Sequence, residues 1–266
     1  MSELTKRVLF AVPAALLLLG SMWIGGIYFE LIIGIIAAFT LWEIHRLVVK
    51  SNAPDFYWVS WLIALSIWFS VRLPEMVVLG FGVILALPTI WTFFSKKNER
   101  SRRWLSTLFC GVYAPLGFLM LVRIRNLGVE IEGFWLAIAV LLMIWGNDVF
   151  AYFGGKRFGK TPLAPRVSPN KTWEGFFFGF LGAAVGLMIA FSFATPFPVA
   201  LLIILPAVII ASIFGPIGDL LESRLKRIAG VKDSSNLLPG HGGFFDRFDA
   251  LILSTPFFFF YFSLVL

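Results

Sequence analysis

Residues 132–152 read EGFWLAIAVLLMIWGNDVFAY. Between Gly133 and Gly146 there is no charge and no apolar-polar alternation. About 20 apolar residues in a row are enough to cross a bilayer as a helix, in which every backbone N–H and C=O is paired within the segment. Asn147 and Asp148 then interrupt the run. A carboxylate at that depth is costly and faces the bundle interior or a polar cavity. Two oxygen-bearing side chains there suit a hard cation or a polar substrate group.

The same pattern repeats outward in both directions. Spans are expected near 7–24, 27–48, 56–71, 75–95, 104–124, 132–152, 174–194, 198–221 and 250–266. The chain is 59% hydrophobic and 14% charged, against about 45–50% and about 25% in ordinary globular domains. Such a composition excludes a soluble enzyme, a disordered chain and a fibrous repeat. Continuous apolar runs argue against a transmembrane β-barrel, whose strands alternate. Lys6 and Arg7 precede the first span. No small-residue cleavage site follows it, and Trp23 with Gly25-Gly26 reads as a turn, so a retained helix is expected rather than a signal peptide.

With the N-terminus in the cytoplasm, the basic residues collect on one side. Lys6 and Arg7, Arg46 and Lys50, the run Lys96–Arg103, Lys156–Lys171 and Arg224–Arg247 are all cytoplasmic, and only Arg72, Arg123 and Arg125 are not. This is the positive-inside bias. It accounts for the net charge of +7 without nucleic acid, through orientation and anionic headgroups of the bilayer. The expected fold is an all-α polytopic membrane protein with about nine transmembrane helices, a cytoplasmic N-terminus and no soluble domain. Residues 1–103 are expected to form the N-terminal transmembrane helices and 104–266 the C-terminal transmembrane region of one integral unit, the region that carries the chemistry read below. One cysteine, Cys110, and two histidines, His45 and His241, leave no intramolecular disulfide and no His-rich metal site.

The first hundred residues carry little chemistry. Glu30 and Glu43 lie in the second span. Glu43, close to His45 and Arg46, reads as capping or pairing locally. The second half is different. Residues 145–160, WGNDVFAYFGGKRFGK, join Asn147 and Asp148 to glycines and to Lys156, Arg157 and Lys160, a composition suited to phosphate. In SPNKTWEG, residues 168–175, Ser168 and Lys171 open the next span, where free N–H groups favour an anion; Ser168 or Thr172 as a simple cap is the bland alternative. In residues 215–249, Asp219 and Ser223 share a helix face, as do Ser223, Lys226 and Arg227. Lys232, Asp233 and His241-Gly242-Gly243 follow. Asp246, Arg247 and Asp249 open the final span. Neighbouring carboxylates repel unless a cation sits between them, so Asp219, Asp246 and Asp249 suggest Mg²⁺.

These residues resemble the signature of bacterial phosphatidate cytidylyltransferases, the CDP-diglyceride synthases. The resemblance runs through Ser223, Leu225, Lys226, Arg227, Lys232, Asp233, Ser235, Leu238, Pro239, His241, Gly242, Gly243, Phe244, Asp246, Arg247 and Asp249. It extends to Trp145, Asp148, Ala151, Tyr152, Ser168, Pro169, Lys171, Thr172, Gly218 and Asp219, and covers roughly 140–266. Asn147 and Glu174 stand where some relatives carry other residues.

The resemblance implies transfer of CMP from CTP to phosphatidic acid, with CDP-diacylglycerol and pyrophosphate as products. It implies catalytic roles for Asp246, Asp219, Lys226, Arg247 and His241. Substrate would be held by Asn147, Asp148, Lys160, Ser168, Lys171, Ser223, Arg227, Lys232, Gly242 and Gly243. Mg²⁺, one ion or two, would lie on Asp219, Asp246 and Asp249. The enzyme would be integral to the cytoplasmic (inner) membrane, with its site facing the cytoplasm. A homodimer is compatible with this, but no interface is legible. The competing readings are another CTP-using lipid enzyme (a polyprenol kinase or an archaeal-type lipid cytidylyltransferase) and an ion or phosphate transporter.

Overall fold

A computed structural model describes residues 3–70, 72–94, 99–194 and 199–266. In chain order they form α1 (Glu3–Ile24), α2 (Gly26–Lys50), α3 (Tyr57–Phe69), α4 (Glu75–Phe94), α5 (Glu99–Arg125), α6 (Glu130–Phe158), β1 (Pro162–Ala164), β2 (Ser168–Thr172), α7 (Trp173–Phe193), α8 (Leu201–Ile204), α9 (Ala207–Ile228) and α10 (Phe245–Val265). Lys96 and Lys97, and the expected span limits at 71, 95 and 198, lie outside the described residues.

The helical membrane architecture is present. Among the described residues, six stretches are long and apolar enough to cross a bilayer: α2, α5, α6, α7, Leu201–Ile228 and α10. The other three expected spans carry shorter apolar helices, Leu9–Ile24, Tyr57–Phe69 and Leu79–Ile90. The eighth span is divided at Leu205-Pro206 into α8 and α9, because proline has no N–H to continue the ladder. One element was not expected: the loop after α6 contains an antiparallel hairpin, β1 with β2. Gly25 (φ +72°) and Gly26 (φ +53°) make the left-handed turn between α1 and α2.

Glycines decide where helices touch. A Cβ on Gly182 of α7 would strike the Gly146 carbonyl of α6, and one on Gly146 would strike Gly182. Two backbones thus meet directly, the contact small residues allow in lipid. A Cβ on Gly218 of α9 would collide with the Asp249 carbonyl of α10. α10 also lies against α5, where Thr255 Oγ1 donates to Gly117 O at 2.6 Å. Phe29, Ile33, Ile44, Phe118, Phe245 and Phe258 are among the side chains of the buried core. Large apolar residues such as Leu16, Trp58, Leu202 and Leu264 point outward, as a lipid-facing surface requires. Arg125 caps the end of α1: its guanidinium donates to Met22 O at 2.6 Å and Trp23 O at 3.2 Å.

Candidate active site

The close approach of α6 to α7 and of α9 to α10 leaves a polar cavity of about 860 Å³ between the two pairs. α6 supplies Asn147 and Asp148, the end of β2 supplies Lys171, and α9 supplies Asp219, Glu222, Ser223 and Lys226. Asp246, Arg247 and Asp249 come from the first turns of α10, and Asp233 from the preceding loop. Gly218 brings Asp219 beside Asp249, because nothing larger fits against α10 there.

Two ion-pair systems divide this cavity. Lys171 pairs with Asp219, whose other oxygen accepts from Ser223 Oγ at 3.2 Å. Lys226 Nζ lies 2.8 Å from Glu222 Oε1 and 2.7 Å from Asp246 Oδ1. Asp246 Oδ2 takes three donors at 2.8 Å: the Ser234 N–H, Ser234 Oγ and the Gly243 N–H. Asp246 thus ties Lys226 to the loop before α10.

The carboxylates that converge are Asp219, Glu222 and Asp249, each offering an oxygen within 4.8 Å of the others. Glu222 is buried and the other two are half-buried. Like charges this close are unfavourable without a cation between them. An all-oxygen set of this kind fits a hard divalent ion. Glu222 was not among the site residues read from the sequence. Its signal was available, since it stands three residues from Asp219 and four before Lys226.

Asn147 is buried against Gly179, whose Cβ would collide with its amide. Neither polar atom of that amide has a partner among the described residues. The remaining expected residues lie elsewhere. Lys160, Arg227 and Lys232 are exposed and outside the cavity wall. The Lys160 N–H donates to Glu174 at 3.0 Å, closing the loop onto α7, and Arg227 donates to Val231 O at 3.4 Å. Ser168 sits in β2, while Thr172 caps α7 by accepting from the Gly175 N–H at 3.1 Å. Gly242 (φ +81°) and Gly243 shape the turn before α10.

A second cavity, of about 620 Å³, is lined largely by apolar residues of α1, α2, α6 and α10, among them Leu9, Pro13, Ile32, Ile36 and Leu141. His241 lines this one, its ring centroid 6.0 Å from that of Phe10. Trp145, Asp148, Arg247 and Asp249 line both cavities.

A helical membrane bundle whose lysines and carboxylates meet an apolar groove belongs to the class of membrane-embedded proteins that handle charged phosphate compounds together with lipid-like ones. The chain belongs to the cytidylyltransferase family, whose family model matches residues 5–265. It is similar to a phosphatidate cytidylyltransferase of Bacillus subtilis (strain 168), 33% identical over 99% of each chain. A protein of the same name from Pseudomonas aeruginosa PAO1 is 33% identical over 96% of this chain and 95% of its own. Another from Brucella suis biovar 1 is 35% identical over 96% and 92%.

Proposed function

We propose that this chain transfers CMP from CTP to phosphatidate, giving CDP-diacylglycerol and pyrophosphate, where its two cavities meet. The observation that carries the reading is the wall they share, Trp145, Asp148, Arg247 and Asp249. CTP is water-soluble and multiply charged, and fits the polar cavity. Phosphatidate carries two acyl chains and fits the apolar groove between α1, α2, α6 and α10. Its phosphate then reaches the polar side at Arg247.

The lipid phosphate is already an anionic nucleophile and needs no strong base. It attacks the α-phosphorus of CTP in line, the bond to the bridging oxygen breaks, and pyrophosphate leaves. The obstacle is charge, since two anions must meet and more develops on the leaving group. Catalysis is then positioning and electrostatic stabilisation. Lys171 and Lys226 line the triphosphate side, and Arg247 faces both substrates. Ser223 orients Asp219. Asp246 holds Lys226 in place from the far side. Asp219 and Asp249, with Glu222 beside them, would hold Mg²⁺, which when bound neutralises phosphate oxygens on the attacking and leaving sides. We place the catalytic region in 104–266 and the site on the cytoplasmic face of the inner membrane, where CTP is available and the basic residues gather.

The test is a Mg²⁺-dependent pyrophosphate-release assay on purified protein with CTP and phosphatidate. Parallel reactions offer dolichol and an archaeal ether lipid with labelled nucleotide. Labelled CDP-diacylglycerol from phosphatidate is the expected product. Labelled phosphate on a polyprenol, or ion flux across vesicles without CTP, would reject the reading.

A further inference from the structure

Glu43 lies on α2, outside the wall of the polar cavity, and the chemistry above does not use it. It is completely buried, and no cation pairs with it among the described residues. A buried carboxylate in that position must be held by donors. Glu43 has four. Oε1 accepts from Ser235 Oγ at 2.6 Å and the Phe244 N–H at 3.0 Å. Oε2 accepts from Ser234 Oγ at 2.9 Å and the Phe245 N–H at 2.7 Å. Three come from the segment joining α9 to α10, and the fourth from the first residue of α10.

Phe244 and Phe245 are the cap and the first residue of α10, and that cap makes no side-chain hydrogen bond of its own. The first N–H groups of a helix have no partner within it, and its positive end favours an anion. Glu43 supplies the missing cap from another helix. Gly243 makes room for it, since a Cβ there would run into both Glu43 and Ser234. Ser234 Oγ also lies 2.8 Å from Asp246 Oδ2. A hydroxyl has one proton, so Glu43 and Asp246 share it. The contacts then continue from Asp246 to Lys226 and Glu222.

We infer that Glu43 is a positioning residue: from α2 it fixes the first turn of α10, and through Ser234 it sets Asp246, so that Arg247 and Asp249 face the substrates. The inference rests on the cytidylyl-transfer reading for its turnover measurement only. Glu43→Gln keeps the size but turns an amide N–H₂ toward N–H donors. In the purified full-length chain, hydrogen exchange of residues 244–249 is expected to rise about tenfold, the scale of a lost helix cap. kcat per folded molecule is expected to fall at least about tenfold, with KM for CTP moving less than about threefold, as misplaced catalytic groups predict. Glu43→Asp restores part of both. Exchange at 244–249 or kcat that matches wild type in Glu43→Gln overturns the inference, as does a loss that Glu43→Asp leaves unrepaired. If Glu43→Gln does not fold, Ser235→Ala removes one donor and is expected to show the same changes in smaller measure; no change there overturns it too. A wild-type chain that transfers no CMP would sink the activity reading instead, and the exchange data would still decide the role of Glu43.

Discussion

Lys226 Nζ lies 2.7 Å from Asp246 Oδ1, with the two side chains 12% and 3% exposed. Removing one partner of a buried pair costs about 3–5 kcal/mol, since the other charge is left stranded. Lys226→Met strands two carboxylates, Glu222 and Asp246. Asp246→Asn keeps an acceptor for the Ser234 and Gly243 N–H groups. Lys226→Met is therefore expected to be the less stable of the two in detergent, and both to lose most turnover. Denaturant or thermal unfolding beside the pyrophosphate assay measures this; the reverse order of stability would contradict the assignment of Asp246 as an anchor.

Asp219→Asn and Asp249→Asn are each expected to lower kcat at least about a hundredfold, because removing a metal ligand removes several kcal/mol of charge stabilisation. The Mg²⁺ concentration for half-maximal rate should rise in both. Near-normal turnover in the pair would reject the metal site.

Gly218→Ala tests the contact that brings α9 to α10. Its new methyl meets the Asp249 carbonyl, so the helices must move apart. Displacing groups by about 1 Å costs roughly a hundredfold in rate, while overpacking costs about 1–3 kcal/mol of stability. Gly20→Ala, inside α1 with nothing within 4 Å, is the control; it should leave the rate unchanged and cost no stability, since alanine favours a helix over glycine. Full activity in Gly218→Ala would show that this approach does not set the site.

Ala14→Trp places a large ring in the apolar cavity. KM for a long-chain phosphatidate is expected to rise several-fold, with little change for a dihexanoyl substrate or for CTP. An equal effect on both lipids would move the acyl site elsewhere.

The helical membrane architecture and its six long apolar stretches were legible because lipid leaves a helix no choice of surface, and residues 132–152 announce that in their composition alone. The Asp219–Ser223 contact was legible for a similar reason, since four residues make one helical turn. The same logic grouped Asp246 with Asp249, and both reach the polar cavity. Spacing did not show that Asp246 turns to Lys226 and Ser234 while Asp249 turns to Asp219 and Glu222.

Glu43 shows where such reading ends. Its neighbours His45 and Arg46 suggested local pairing. His45 instead binds Asp55 at 2.5 Å, and Arg46 stacks on Trp42 at 4.6 Å. The donors that Glu43 takes begin 191 residues away, and one-dimensional patterns carry no trace of a partner at that distance.

The shared wall at Trp145, Asp148, Arg247 and Asp249 has a further consequence for traffic. One product of the proposed reaction is soluble and the other is an amphiphile. On the proposed reading, pyrophosphate would return to water through the polar cavity, and the liponucleotide would leave along the apolar one. The new cytidylyl headgroup would then have to cross the shared wall to follow its acyl chains, a passage that pyrophosphate does not need.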